Sequence, residues 1–134
     1  MVRMSLHQII IHEHSDQQYI FLKEEDGNRK FPIVIGIFEA TVIDRKVRNF
    51  RPPRPMTHDL LVNVIDSMGG QVKHVVVNKL EENTFFAKLV VQQNGQILEI
   101  DSRPSDAIAV ASHTKVPIYV EEQVLDEVAG SDDE

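Results

Sequence analysis

The sequence predicts an α+β domain: a mixed or antiparallel sheet of about seven strands with three to four helices. Three observations carry that prediction. Apolar residues alternate with polar ones in several short runs. Helical spacing appears in only a few separate windows. Strands come in blocks, then helices, then strands again, which argues against a doubly wound fold. The 134 residues suit one domain with a substantial core. The expected domain spans residues 1–129, followed by an acidic disordered tail over 130–134.

Residues 6–12 and 18–24 read as strands rich in Ile, Leu, Phe and Tyr. Asp26-Gly27 signals a hairpin into a third strand near 29–35. Pro32 places that strand at an edge or delays its start. Ala40, Ile43 and Val47 recur at helical spacing, so a helix runs from about Phe38 to Val47. Arg51-Pro52-Pro53-Arg54-Pro55 is an extended loop. Thr57 is the expected cap of a second helix whose apolar face is Leu60, Leu61, Val64, Ile65 and Met68. Gly69-Gly70 ends it. Strands follow near 72–80, 84–92 and 96–101, with Asn94-Gly95 as a two-residue hairpin turn. Phe85, Ala87, Leu89 and Val91 alternate to one face of the middle strand. Pro104 opens a third helix that Ser102 could cap. Residues 116–120 form a closing strand and 123–128 a last short helix.

The sequence contains no cysteine, which removes disulfides, thiol nucleophiles and Cys-ligated zinc. The N-terminus lacks the apolar segment of a signal peptide, and the apolar runs are too short to span a bilayer. The expectation is a cytoplasmic protein with no membrane association. The net charge is −7, yet seven of the 21 acids crowd into residues 121–134, where there is no Lys or Arg. The preceding 120 residues balance 14 acids against 14 bases. Within them Arg45, Lys46, Arg48, Arg51 and Arg54 form a basic stretch free of acids, the kind of patch that meets phosphates. A solvated helix face followed by a loop explains it equally well.

Asp101-Ser102-Arg103-Pro104-Ser105-Asp106-Ala107-Ile108-Ala109 is the most informative stretch. It places two carboxylates and a guanidinium where a strand hands over to a helix. Unpaired N–H groups at a helix start attract anions, and Arg103 adds a forked donor. The simpler explanation is a well-made helix start, with Asp106 favourable to the dipole.

Four segments together are similar to one known family. They are Phe31-Pro32-Ile33-Val34-Ile35-Gly36 with Phe38-Glu39-Ala40, Pro53-Arg54-Pro55-Met56-Thr57-His58-Asp59-Leu60-Leu61, the 101–109 stretch, and Val116-Pro117-Ile118-Tyr119-Val120. In this order and spacing the chain resembles the bifunctional nuclease family from about residue 5 to 129. The resemblance implies a compact α+β domain, a homo-oligomer with a dimer favoured, and an activity named for plant members that degrade both RNA and DNA. Some bacterial members carry a further C-terminal module; only the core domain is expected here.

Hydrolysis of a phosphodiester needs an activated water, charge relief on the phosphoryl oxygens and help for the leaving group. Carboxylate-held Mg²⁺ or Mn²⁺ can supply all three. Within the matching motifs, Asp101, Asp106 and Glu39 are the candidate metal ligands. His58 is a candidate general acid or base. Asp59 and Arg103 complete the catalytic set, and Arg45, Lys46, Arg48, Arg51 and Arg54 are candidate contacts to substrate. The expected geometry brings the 54–59 and 101–106 turns to one cleft, with Glu39 nearby. The rival is a latch in which the arginines neutralise Asp59 and Asp106, making the chain a non-catalytic nucleic-acid-binding, anion-binding or protein-interaction module. His12-Glu13-His14 could chelate a metal, but reads equally as solvent-facing polar residues. Gly-x-Ser-x-Gly, P-loop and Rossmann glycine patterns are absent. With no Trp, base stacking has little visible support.

Overall fold

The computed structural model describes residues 1–128 and the backbone of 130–131. Twelve elements follow in order: β1 Val2–Ile10, β2 Gln18–Glu24, β3 Arg29–Ile35, α1 Ile37–Val47, α2 Thr57–Ser67, β4 Gly70–Glu81, β5 Thr84–Gln93, β6 Gln96–Ser102, α3 Pro104–Thr114, β7 Ile118–Val120, α4 Glu122–Val128 and the two-residue β8 Gly130–Ser131. One mixed sheet has the order β6-β5-β4-β7-β1-β2-β3-β8. Among the described residues only the β4–β7 pairing is parallel. The α+β prediction therefore holds. β7 joins the β4–β6 meander to the β1–β3 meander, and α3 is the connection that carries the chain from β6 at one edge to β7.

The strand chemistry explains the packing. Ala87, Leu89 and Val91 alternate into the core from β5, and Val72, Val75 and Val77 enter it from β4, whose alternation is interrupted by a register shift between Val72 and His74. Ala107 to Ala111 are all buried because α3 lies between the sheet and two other helices. Small side chains let its backbone approach closely. Asn94 and Gly95 both adopt positive φ, the conformation a tight hairpin requires. The Asp26-Gly27 hairpin forms, but across the four residues 25–28 between β2 and β3. Pro32 lies in β3, beside β2, and β8 covers only Arg29 and Lys30. β3 is thus nearly an edge strand, where a proline is tolerated, as expected.

Several local expectations are corrected. β1 begins at Val2, because Val2 to Met4 pair with β7. Met56, not Thr57, is the N-cap of α2, and Thr57 is its first helical residue. Arg103, not Ser102, is the N-cap of α3, with Pro104 at the first position and the Ser102 hydroxyl bonded to the Arg103 carbonyl. Of the apolar stripe read for α2, Ile65 packs against the core and the other four residues do not. Val62 is the apolar residue that α2 buries, while Leu60, Leu61, Val64 and Met68 are exposed. Helical period locates a stripe but does not say which side has a partner. Of the acidic end, Gly130–Ser131 pairs with Lys30 and Arg29, and residues 132–134 lie outside the described residues.

Candidate active site

α1, α2 and the β6–α3 turn enclose a cleft of about 720 Å³. Glu39, His58, Asp59, Asp101, Arg103 and Asp106 all line it. Of the expected 54–59 turn, residues 56–59 converge with the 101–106 turn, with Glu39 alongside, while Arg54 stays outside the cleft.

His58 and Asp106 come from the first turns of two different helices. His58 Nε2 lies 2.8 Å from Asp106 Oδ1. Arg103 Nε donates to Asp106 Oδ2 at 2.8 Å, and Nη2 donates to Oδ1 at 3.1 Å. Burial pushes the Asp106 carboxyl up, but the bonds and charges of Arg103 and His58 outweigh it and hold it below the usual value. An ionised Asp106 can only accept. In the tautomer that donates from Nε2 to this carboxylate, His58 leaves a lone pair on Nδ1. The Asp106 bond raises Arg103 further above its ordinary value, and the charge of Glu39 adds to this. Two of the five Arg103 N–H groups are used on Asp106, and its side chain is 64% exposed. The remaining donors are open to a ligand.

Asp59 lies at the floor of the cleft. Its Oδ2 accepts the Met56 N–H at 2.9 Å, which completes the start of α2. Its Oδ1 accepts from Lys46 Nζ of α1. His113 Nδ1 of α3 lies 3.1 Å from the same ammonium. Burial pushes Asp59 up; the Lys46 and Met56 bonds, with the charges of Lys46 and His113, bring it below the ordinary value. Lys46 and Asp59 are both buried, so this ion pair ties α1 to α2, and the His113 contact adds α3.

Glu39 and Asp101 have no hydrogen bond or ion pair among the described residues. The Glu39 carboxylate folds back over Gly36, where an added Cβ would collide with it. Mg²⁺ and Mn²⁺ prefer several oxygen ligands. The expected set of Asp101, Asp106 and Glu39 fits such an ion poorly, because both Asp106 oxygens are committed. Among the described residues, no three His, Asp or Glu side chains are placed to share one ion. His12 and His14 lie exposed between β1 and β2 and belong to no such group.

The basic stretch does not form one surface. Lys46 is consumed by Asp59. The Arg45 guanidinium sits over the Phe50 ring, 5.5 Å from its centroid. Arg48 pairs with Asp44 at 3.2 Å. Arg51 lines a second cleft, and Arg54 is exposed and lines neither cleft. The sequence reading missed His113, although it stands seven residues after Asp106 and so on the same helix face. It also missed Phe38 and Phe50, which are 80% and 51% exposed at the cleft and offer aromatic faces after all.

An α+β domain with a His–Asp–Arg cluster in an open cleft is thus the class of molecule defined here. A family model described as the bifunctional nuclease domain matches residues 20–133. The chain belongs to the bifunctional nuclease domain family. It is 40% identical over 117 residues to an uncharacterized protein of Mycobacterium tuberculosis, covering 87% of this chain and 70% of that protein. It is 35% identical over 114 residues to Bifunctional nuclease 2 of Oryza sativa subsp. japonica, covering 82% of this chain and 35% of the relative. It is 33% identical over 105 residues to Bifunctional nuclease 1 of Arabidopsis thaliana, covering 75% of this chain and 32% of the relative. The matched region spans about a third of those plant proteins. Among the described residues no helix is long and apolar enough to cross a membrane.

Proposed function

We propose that the chain hydrolyses phosphodiester bonds of RNA and DNA with low sequence specificity, using His58 as the proton-transfer group. The observation that carries this is the 2.8 Å His58–Asp106 contact inside an open cleft that also holds Arg103. DNA lacks a 2′-hydroxyl, so a shared mechanism uses water as nucleophile. His58 Nδ1 takes a proton as the water oxygen attacks phosphorus. Asp106 stabilises the imidazolium, and the free Arg103 donors meet the charge growing on the phosphoryl oxygens. The imidazolium then returns its proton to the departing ester oxygen. No step passes through a metal.

The test is a nuclease assay on highly purified protein against single-stranded RNA and DNA, with Mg²⁺, with Mn²⁺ and with chelator. Activity is expected in chelator. His58→Gln and Asp106→Asn should each lower the rate by about 10² to 10⁴ with the thermal transition little changed. Unchanged activity in both folded variants removes this assignment.

A second reading has its own support: both Asp59 and Asp106 are saturated by cations, as a structural latch requires. A binding or regulatory module would retain oligonucleotide without turnover in the same assay. The proposal also includes a homo-oligomer, with a dimer favoured. Leu60, Leu61 and Val64 of α2 and its C-cap Met68 lie exposed, and Ile97, Leu98 and Ile100 do so on the edge strand β6. These exposed apolar side chains support a partner surface. Light scattering at working concentration tests it, and a monomer rejects it.

A further inference from the structure

We propose that the second cleft, behind the Lys46–Asp59 pair, is a phosphate-binding site formed by Arg51, His113 and Lys115. This cleft has a volume of about 540 Å³. Lys46, Arg51, His113 and Lys115 line it, and Asp59 is the acid among its lining residues. Lys46 neutralises Asp59. The positive charges of Arg51 and Lys115 are left over. Arg51 has no carboxylate partner among the described residues, and Lys115 Nζ holds only the neutral Asn49 Oδ1, at 3.0 Å. A concave surface with uncompensated guanidinium and ammonium groups selects an oxyanion.

A second, independent observation concerns the backbone. Lys115 is the C-cap of α3 and has φ 62°, the left-handed conformation that glycine adopts without strain. A lysine at this position weakens the helix end while placing an ammonium at the cleft. Helix C-termini ordinarily repel anions, so an anion here is held by the side-chain cations, and backbone bonds cover only part of each helix end. Asn49 and Phe50 N–H groups close α1 on Lys46 and Arg45, and Lys115 and Val116 N–H groups both close α3 on Ala111.

His113 reports on the cleft. Facing it are Lys46 from α1, Arg51 from the loop between α1 and α2, Asp59 from α2 and Lys115 at its own helix end. Burial and the three cations hold its imidazole below the ordinary histidine value, against the pull of Asp59. A bound phosphate would reverse that balance. Both clefts share Lys46, Phe50, Pro52 and Asp59 in their walls, so a polynucleotide in the first can reach the second. In that form the inference rests on the proposed nuclease reading; binding of phosphate itself does not.

The experiment follows the His113 ring by NMR in the full chain. The probes are inorganic phosphate, an oligonucleotide with a 5′-phosphate and the same oligonucleotide without it. Phosphate should raise the apparent His113 pKa. Arg51→Gln and Lys115→Gly should each weaken the response by about tenfold or more. Lys115→Gly should at the same time raise the thermal midpoint, so loss of binding cannot be blamed on unfolding. A response to the unphosphorylated oligonucleotide assigns the site to backbone phosphates; a response confined to the other two probes assigns it to a terminal or free phosphate. No movement of His113 with any probe, or a movement that survives both substitutions, overturns the proposal. Nuclease assays on the same samples separate the two ideas: His113 can respond in a protein that cleaves nothing, and cleavage can persist with His113 silent.

Discussion

Asp59 and Asp106 occupy the same position, the third residue of a helix, and their surroundings make them into different devices. The Asp59 side chain is 12% exposed and its partner Lys46 is 9% exposed. The Asp106 side chain is 27% exposed and its partner Arg103 is 64% exposed. A buried ammonium cannot leave its carboxylate without stranding a charge. An exposed guanidinium can turn from its carboxylate to a ligand at little cost, since exposed ion pairs contribute about 0–1 kcal/mol. The same N-terminal acid thus serves architecture in one helix and is available for chemistry in the other.

The largest way to break this comparison is to unbalance the buried pair. Asp59→Ala leaves Lys46 uncompensated and removes the acceptor for the Met56 N–H. It should cost about 3–5 kcal/mol in denaturant unfolding, whereas Asp106→Ala should cost about 1 kcal/mol or less. Equal losses would mean that both acids are latches. A smaller effect is expected from Arg103→Lys, which keeps the charge and loses the fork. Turnover should fall about tenfold, near 1.4 kcal/mol in barrier, with stability nearly unchanged.

Acidity sharpens the contrast next. Both aspartates are held below their ordinary values, so their stabilisation is complete above about pH 4 and is lost as pH falls through the folded values. His113 is also held low, and its folded state prefers the neutral ring. Its contribution is complete above about pH 6.5 and declines below that. Stability measured against pH should therefore fall in two stages on acidification, and His113→Gln should remove the upper one. The smallest effect belongs to the exposed face. Leu60→Ser should change monomer stability by less than about 0.5 kcal/mol while shifting any dimer toward monomer in sedimentation.

Much of the fold was legible because local chemistry and global placement agree. Asn94-Gly95, Gly69 and Pro104 each require a particular backbone, and each stands where the chain turns, stops or starts. The site was partly legible: the convergence of 56–59 with 101–106 followed from the motifs, and His58 and Asp106 do meet. The remainder depended on partners that sequence does not display. Lys46 reads as one more base in a run, and only the packing of both α1 and α2 against α3 shows that it is spent on Asp59. The α2 stripe reads as core until the sheet is seen to cover Val62 and not Leu60. His113 and Lys115 look ordinary until the ends of α1 and α3 are found side by side.

The position of β6 has one more consequence. It is the outermost strand, paired on one side only, and it runs directly into Arg103. A second molecule adding its own strand there would stiffen the backbone that aims the guanidinium. If assembly proceeds through this edge, specific activity per chain declines on dilution, and the protein's own abundance sets its output.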